Sequence, residues 1–454
     1  MDIQNELKKI IEYQNTSLPQ ADRKSEDEIN AIIENIIDDY KQGNYNFNNY
    51  LHFSIKQNHK MRKVKAFTLF SCEEALCIYL KRTLDKRYHI KYPNRTKYMH
   101  SLFDIVNALR NMNTYTIFRF DFEDYFNTVS CEYVFKKFIS KESLEREQME
   151  LLRKYVSSVK YAYAGLNTSN VFCEIIAQQF DECLNRQLQN AGLIYYRRYI
   201  DDGIMIFNKP IQPADCNKIV KLALQEVYYD NTIDVSQKCT TRLNHAKTKY
   251  ISAQNIIPQG VPASFDFLGY KFELTPSLRN NKLTTEIKYG ITDAKIDKYT
   301  KRIDKIIKEY KNHNDMELMR HQLKAFCCRT VYQITRYKSL IWKTKGFISN
   351  YQELRYRLDS LTNDTESFLK NAVVDAFNRN AVAVPYFVHR FPIKSPNYNL
   401  YYSMQKYRTL LFVEPIGICR NGLDKLCRQI GINTCGKQYD GLVRDYLIKV
   451  KVGH

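Results

Sequence analysis

Apolar residues along this chain fall into short β-type runs and helical stripes, and the two kinds of pattern alternate through its middle third. Residues 114–120, Thr-Tyr-Thr-Ile-Phe-Arg-Phe, are β-branched and aromatic at strand length and run directly into Asp-Phe-Glu-Asp-Tyr-Phe. That pattern predicts a buried strand ending in carboxylates. In 169–188, Val171, Phe172, Ile175, Ile176, Phe180, Cys183 and Leu184 recur at helical spacing on one face and predict a helix. Two apolar runs within 193–207 meet at Asp201-Asp202-Gly203 and predict a hairpin with its corner there. A further helix opens at Pro213, with Ile219, Val220, Ala223 and Val227 on one side. Strand, helix, hairpin, helix, strand is the order of an α+β domain, an antiparallel sheet backed by helices. After about residue 290 the pattern reads as helical: Ile296, Tyr299, Ile303, Ile306, Ile307 and Tyr310 form a stripe that lysines surround.

Composition adds bounds. With 454 residues the chain is long enough for two or three domains, and 44% hydrophobic with 26% charged residues is an ordinary globular balance. No apolar run approaches the length of a membrane span, and the first residues lack the apolar core of a signal peptide, so a cytoplasmic protein without a membrane partner is expected. The twelve cysteines include no Cys-x-x-Cys pair and read as small core residues.

Charge changes the picture more. A formal net charge of +20 favours a polyanionic partner, above all nucleic acid. It is unevenly placed. Residues 1–40 are acidic, including a helix-like Glu-Asp-Glu-Ile-Asn-Ala-Ile-Ile-Glu segment, whereas 51–100 are strongly basic, opening with Lys56, Lys60, Arg62, Lys63 and Lys65. Residues 321–350 hold basic side chains and no acidic one, interleaved with Phe326, Tyr332, Tyr337, Trp342 and Phe347, and 376–413 have the same character. Cations among aromatic rings suit a nucleic-acid strand, and equally suit a helical core with a solvated rim.

Two carboxylate clusters carry candidate chemistry: Asp121, with Glu123 and Asp124 after it, and Asp201-Asp202 at the hairpin corner. Asp-Asp-Gly alone is often an ordinary solvated turn. Carboxylates at the ends of buried strands, however, are costly unless compensated. Brought together by neighbouring strands, Asp121 and Asp201 would offer hard oxygen ligands to two Mg²⁺ ions about 4 Å apart, the arrangement that serves phosphoryl transfer.

Six segments in chain order resemble reverse transcriptases. Tyr199-Ile200-Asp201-Asp202 resembles the Tyr-x-Asp-Asp signature, and Asp121-Phe122-Glu123-Asp124-Tyr125-Phe126 resembles the first aspartate motif. Gly165-Leu166-Asn167-Thr168-Ser169-Asn170 is similar to the motif facing the template and incoming base, and Asn244-His245-Ala246-Lys247-Thr248 to the segment after the catalytic hairpin. Phe267-Leu268-Gly269-Tyr270 resembles the primer grip, and Lys56 and Arg62 the spaced cations of the fingers. The resemblance implies a right-hand polymerase: an acidic helical segment over 1–45, fingers and palm over 46–275, and an all-helical thumb and C-terminal extension over 276–454. It implies catalysis by Asp121, Asp201, Asp202 and Lys247. Two Mg²⁺, with Mn²⁺ as the alternative, would be held by Asp121, the Phe122 carbonyl, Asp201 and Asp202. The deoxynucleoside triphosphate would be bound by Lys56, Arg62, Asp124, Tyr125, Phe126 and Ser169. Phe126 would be the gate against a 2′-hydroxyl, or else plain core; Lys247 would protonate the leaving pyrophosphate, or else be a surface lysine.

Where most template-copying members carry Pro-Gln-Gly before the serine of the third motif, this chain has Gly165-Leu166-Asn167-Thr168-Ser169. That shortened form resembles bacterial defence enzymes of the abortive-infection type. The implied function is DNA synthesis in bacterial antiphage defence, with a noncoding RNA or by untemplated or protein-primed extension, in the bacterial cytoplasm, and with a second copy or an accessory defence protein as further partners. A retron or group II intron-type enzyme copying a dedicated RNA is the nearest alternative. A nucleic-acid-binding scaffold without catalysis is the alternative of a different class.

Overall fold

The computed structural model describes residues 3–18, 22–57, 60–279, 282–336, 339–388 and 398–451. At its centre lies a four-stranded antiparallel sheet, in the spatial order Leu193–Tyr199, Asp202–Phe207, Thr116–Asp121, Lys249–Ser252. Every residue of Thr116–Asp121 is buried, because both faces of the sheet are covered. Phe118, Phe120, Met205 and Phe207 point into one core with the helices Ser169–Leu188 and Pro213–Tyr228. Ile117, Ile204, Ile206 and Ile251 point into a second core with the helix Arg95–Ala108 and the sheet that follows. Burial on both faces is why this strand reads as an apolar run and not as an alternation.

The hairpin corner lies one residue earlier than expected. Ile200 and Asp201 form the turn, and Asp202 and Gly203 already belong to the second strand. Gly203 is required by packing: it pairs with Phe120, and a Cβ there would stand 2.2 Å from that ring. Ile200 takes the positive φ, 61°, that a two-residue hairpin needs and that a β-branched side chain resists.

Next comes a three-stranded antiparallel sheet, Ala263–Phe267, Tyr270–Arg279 and Lys282–Ile291. Its first turn has positive φ at both central residues, Leu268 at 49° and Gly269 at 84°. The basic segment that opens with Lys56 forms a separate hairpin, Leu51–Gln57 with Lys60–Ala66. The acidic N-terminal segment is helical, Ile3–Ser17 and Glu26–Gln42, the latter opened by a capping box between Ser25 and Glu28.

The C-terminal part is not all helical. The helix Asp293–His313 does bury Tyr299, Ile303, Ile306 and Ile307 as expected, and Met316–Cys327 and Asn363–Arg379 follow the same pattern. Residues 329–345, however, form the strands Arg329–Arg336 and Ser339–Lys345, and Thr409–Phe412 joins the first of them in parallel. Thr330, Val331, Tyr332, Ile334 and Thr335 are β-branched or aromatic at adjacent positions, and this preference outweighs the looser helical spacing of the aromatic residues. The helices Arg420–Gln429 and Tyr439–Lys449 complete a third, smaller core with this sheet. Apart from exposed Cys419 and Cys435, the cysteines are buried, as expected of core residues. Among the described residues no helix is long and apolar enough to cross a membrane.

Candidate active site

Antiparallel register decides what meets at the end of the central sheet. Asp121 pairs directly with Asp202, and the Phe122 amide donates to the Asp201 carbonyl at 3.1 Å, so the two acidic segments that are 80 residues apart in sequence become neighbours. The 244–248 segment closes a third side. The Asn244 amide donates to the Asp121 carbonyl at 2.8 Å, and the Asn244 carbonyl accepts from the amides of Lys247 and Thr248. That turn delivers Lys247, whose Nζ lies 2.9 Å from both carboxylate oxygens of Asp121.

The three aspartates are held differently. Asp121 is buried and paired with Lys247, whose own side chain is 55% exposed at the mouth of the site. Asp202 accepts two hydrogen bonds from Arg119, at 2.9 and 3.1 Å, and the same guanidinium reaches Asp266 on the following sheet at 2.9 Å. Burial, with Asp121 and Asp201 adding to it, nevertheless pushes the Asp202 carboxyl up to about 6. Asp201 has no basic side chain in ion-pair contact among the described residues. Burial and then the Asp121 charge push its carboxyl up, while its own backbone amide and the charges of Lys247 and Arg62 pull it part of the way back.

Behind the turn sits a second charged cluster. Arg198 is almost fully buried and bonds Glu174 at 2.9 Å and Asp181 at 2.9 and 3.0 Å, and it donates to the carbonyl of strained Ile200 at 2.7 Å. A buried guanidinium with this many acceptors is compensated, and it pins the turn that carries Asp201 and Asp202.

The remaining sequence-selected residues divide. Arg62 is exposed on the basic hairpin with its guanidinium 5.6 Å from the centre of the Phe126 ring, and Phe126 itself is half-buried. That hairpin thus reaches over the 121–126 segment. Lys56 is backbone-paired with Met61, and its side chain lies outside the described residues. Asp124 is exposed, in a left-handed conformation. The Tyr125 ring is buried and its hydroxyl meets Tyr228 at 2.8 Å, so a nucleotide could be met there by its backbone alone. Ser169 is buried with its hydroxyl donating to the Tyr163 carbonyl. That loop lies against the same hairpin, where the Lys65 amide donates to the Ala164 carbonyl at 2.9 Å. In Phe267-Leu268-Gly269-Tyr270 the turn is tied down by Arg95, which donates to the Leu268 carbonyl at 2.8 Å. Arg119, Arg198, Glu174 and Asp181 were not singled out from sequence. Arg119 and Arg198 had left a signal, a cation inside an apolar strand, which needs a buried acid.

Among the described residues no three His, Cys, Asp or Glu side chains form a ready metal cage. Two close carboxylates, one without a committed cation, suit an ion of another kind: Mg²⁺ is commonly held by one or two carboxylates and takes its other ligands from phosphates and water. Asp121, Asp201 and the Phe122 carbonyl would supply the protein's share. Asp202, committed to Arg119, which also bonds Asp266, stands one step behind.

No family model and no curated protein matches the chain. Among solved structures it is similar to telomerase from Candida albicans, at 11% identity and a TM-score of 0.40, over 88% of this chain and 60% of that one. It is similar also to telomerase from Candida tropicalis, at 12% identity and a TM-score of 0.36, over 93% of this chain and 61% of that one. Both were solved with a TWJ fragment of telomeric RNA. This chain spans about three-fifths of the length of either.

Proposed function

We propose that the chain is a metal-dependent nucleotidyltransferase of the reverse transcriptase type, extending a primer 3′-hydroxyl with deoxynucleotides. One observation carries this: strand register sets Asp121 beside the Asp201-Asp202 turn, leaving an excess of buried negative charge beside an exposed lysine and a fingers arginine. Divalent ions, when bound, would lower the pKa of the attacking hydroxyl and neutralise charge on the leaving oxygen. The chain's own residues supply the rest. Asp121 and Asp201 hold the acidic platform, and Arg198 fixes its turn. Arg62 would attract the triphosphate, Phe126 would be the bulky ring that excludes a 2′-hydroxyl, and Lys247 would give a proton to the leaving pyrophosphate. The short 165–169 motif supports synthesis with a noncoding RNA or without an ordinary template, in the manner of bacterial defence enzymes.

A second reading, an idle nucleic-acid-binding scaffold, is favoured by the Lys247–Asp121 and Arg119–Asp202 pairs, which neutralise two of the three carboxylates without any metal. One experiment separates the two. Purified protein given Mg²⁺ or Mn²⁺ and labelled deoxynucleotides should yield polymeric product, and Asp201→Ala with Asp202→Ala should abolish it. Incorporation by that double variant equal to the wild type would refute the polymerase. Label that resists nuclease and stays on denatured protein would identify a protein hydroxyl as primer.

A further inference from the structure

A cavity of about 650 Å³ lies among the short helix Cys131–Lys137, the helix Arg146–Ser158 and the loop at Ser236-Gln237, and none of the residues lining it belongs to the acidic site. Phe135 and Val156, both buried, give it an apolar wall, and Lys136, Arg153 and Lys160 line it with cations. Its walls are fixed by contacts of their own. The Cys131 amide donates to the Lys160 carbonyl at 3.0 Å, and the Gln237 side chain donates to the Tyr161 hydroxyl. Glu132 is the one acid among the described lining residues, and it is already engaged. It accepts from the Ser236 hydroxyl at 2.6 Å and the Gln237 amide at 3.0 Å, and it pairs with Lys136 at 3.0 Å. Arg153 and Lys160 are left over: both are exposed, and neither has an acidic partner among the described residues. Glu150, one turn before Arg153, is taken by Arg146 at 2.9 Å.

We propose that this cavity binds an organic phosphate of mononucleotide size, Arg153 and Lys160 holding the phosphate while Phe135 and Val156 meet the apolar part of the ligand. The volume lies within the usual range of small-molecule sites. A guanidinium offers a phosphate two parallel hydrogen bonds and an ammonium adds a point charge, so the two uncompensated cations favour that group over a carboxylate-free or cationic ligand. An inorganic anion would use the cations alone and leave the apolar wall wet, whereas an uncharged molecule would use the wall alone. Only a ligand with both parts uses the whole lining. The site goes beyond the polymerase reading, since it needs neither the aspartates nor a metal ion.

Calorimetric titration of the full chain with deoxyadenosine monophosphate in metal-free buffer should show one saturable site, and the Asp201→Ala variant should titrate identically. Arg153→Gln with Lys160→Gln should weaken binding about tenfold or more. Both side chains are exposed, so the thermal melt of that variant should match the wild type. Ser157→Trp, which fills the cavity from an exposed position and leaves both cations in place, should weaken binding as much. Deoxyadenosine and inorganic phosphate, each offering half of the ligand, should both bind more weakly than the nucleotide. No saturable heat at millimolar nucleotide would overturn the proposal, as would unchanged binding in either variant or inorganic phosphate binding as tightly as the nucleotide. A single-stranded oligonucleotide that binds more tightly than the monophosphate, and loses that binding in both variants, would overturn it by assigning the groove to a strand.

Discussion

The two charged clusters on either side of the Leu193–Phe207 hairpin are built from the same residue types and end in opposite states. Behind the turn, Arg198 meets Glu174, Asp181 and the Ile200 carbonyl, so a costly buried cation is fully engaged. In front of it, Asp121, Asp201 and Asp202 share Lys247 and Arg119, and one carboxylate is left over. The balanced cluster stabilises geometry. The unbalanced one keeps an excess of negative charge that a cation would offset, and this difference in partners, more than burial, distinguishes the two clusters.

Arg198→Met should break the balanced cluster outright. Two acids lose their partner and the strained turn loses its anchor, so stability in urea melts should fall by about 3–5 kcal/mol; a loss below about 1 kcal/mol would mean the cluster is not structural. In the unbalanced cluster the sign reverses. Asp202 is held at about 6 in the fold against about 3.9 in an unfolded chain. Between those values the fold keeps a proton that the unfolded chain has released. Its contribution therefore grows as pH falls from 7 toward 4 and disappears as pH rises through 6, amounting to about 3 kcal/mol at most. Urea melts of the wild type and Asp202→Asn at about pH 7.5 and about pH 5 should show that component in the wild type alone. Lys247→Ala should lower stability by about 1–3 kcal/mol, since it leaves the buried Asp121 carboxylate without its cation, and slow single-turnover incorporation about 100-fold if Lys247 donates a proton. The smallest effect is expected at Phe126: replacement by Ala should relax discrimination against ribonucleotides about tenfold, measured as the ratio of kcat/KM for deoxy- and ribonucleotide. An unchanged ratio with reduced stability would return the ring to a packing role.

Much of the central fold was legible because its elements are locally consistent. The helix Ser169–Leu188 has the expected bounds, and Pro213 opens the next helix as expected of a first-turn proline. The hairpin was read correctly but its corner was misplaced. Asp-Asp-Gly looks like turn chemistry, whereas Gly203 is there to admit the Phe120 ring from the neighbouring strand, a contact no local pattern reveals. The strands at 329–345 were read as helix because aromatic and basic residues recur at a spacing that suits either period, and the parallel partner at Thr409–Phe412 lies far along the chain.

By itself the sequence determined which residue types the site has to draw on and where the charge lies: acids at the ends of apolar strands, a lysine after the hairpin, basic segments on both flanks. Those follow from local periodicity and from the cost of burying charge. Only the tertiary structure decided which acid is left without a cation. Asp201 and Asp202 are adjacent and chemically identical, yet the pleat and the register with Thr116–Asp121 turn Asp202 toward Arg119 and leave Asp201 in the turn beside Asp121. Partner choice between identical side chains depends on long-range strand pairing, and no local sequence preference encodes it.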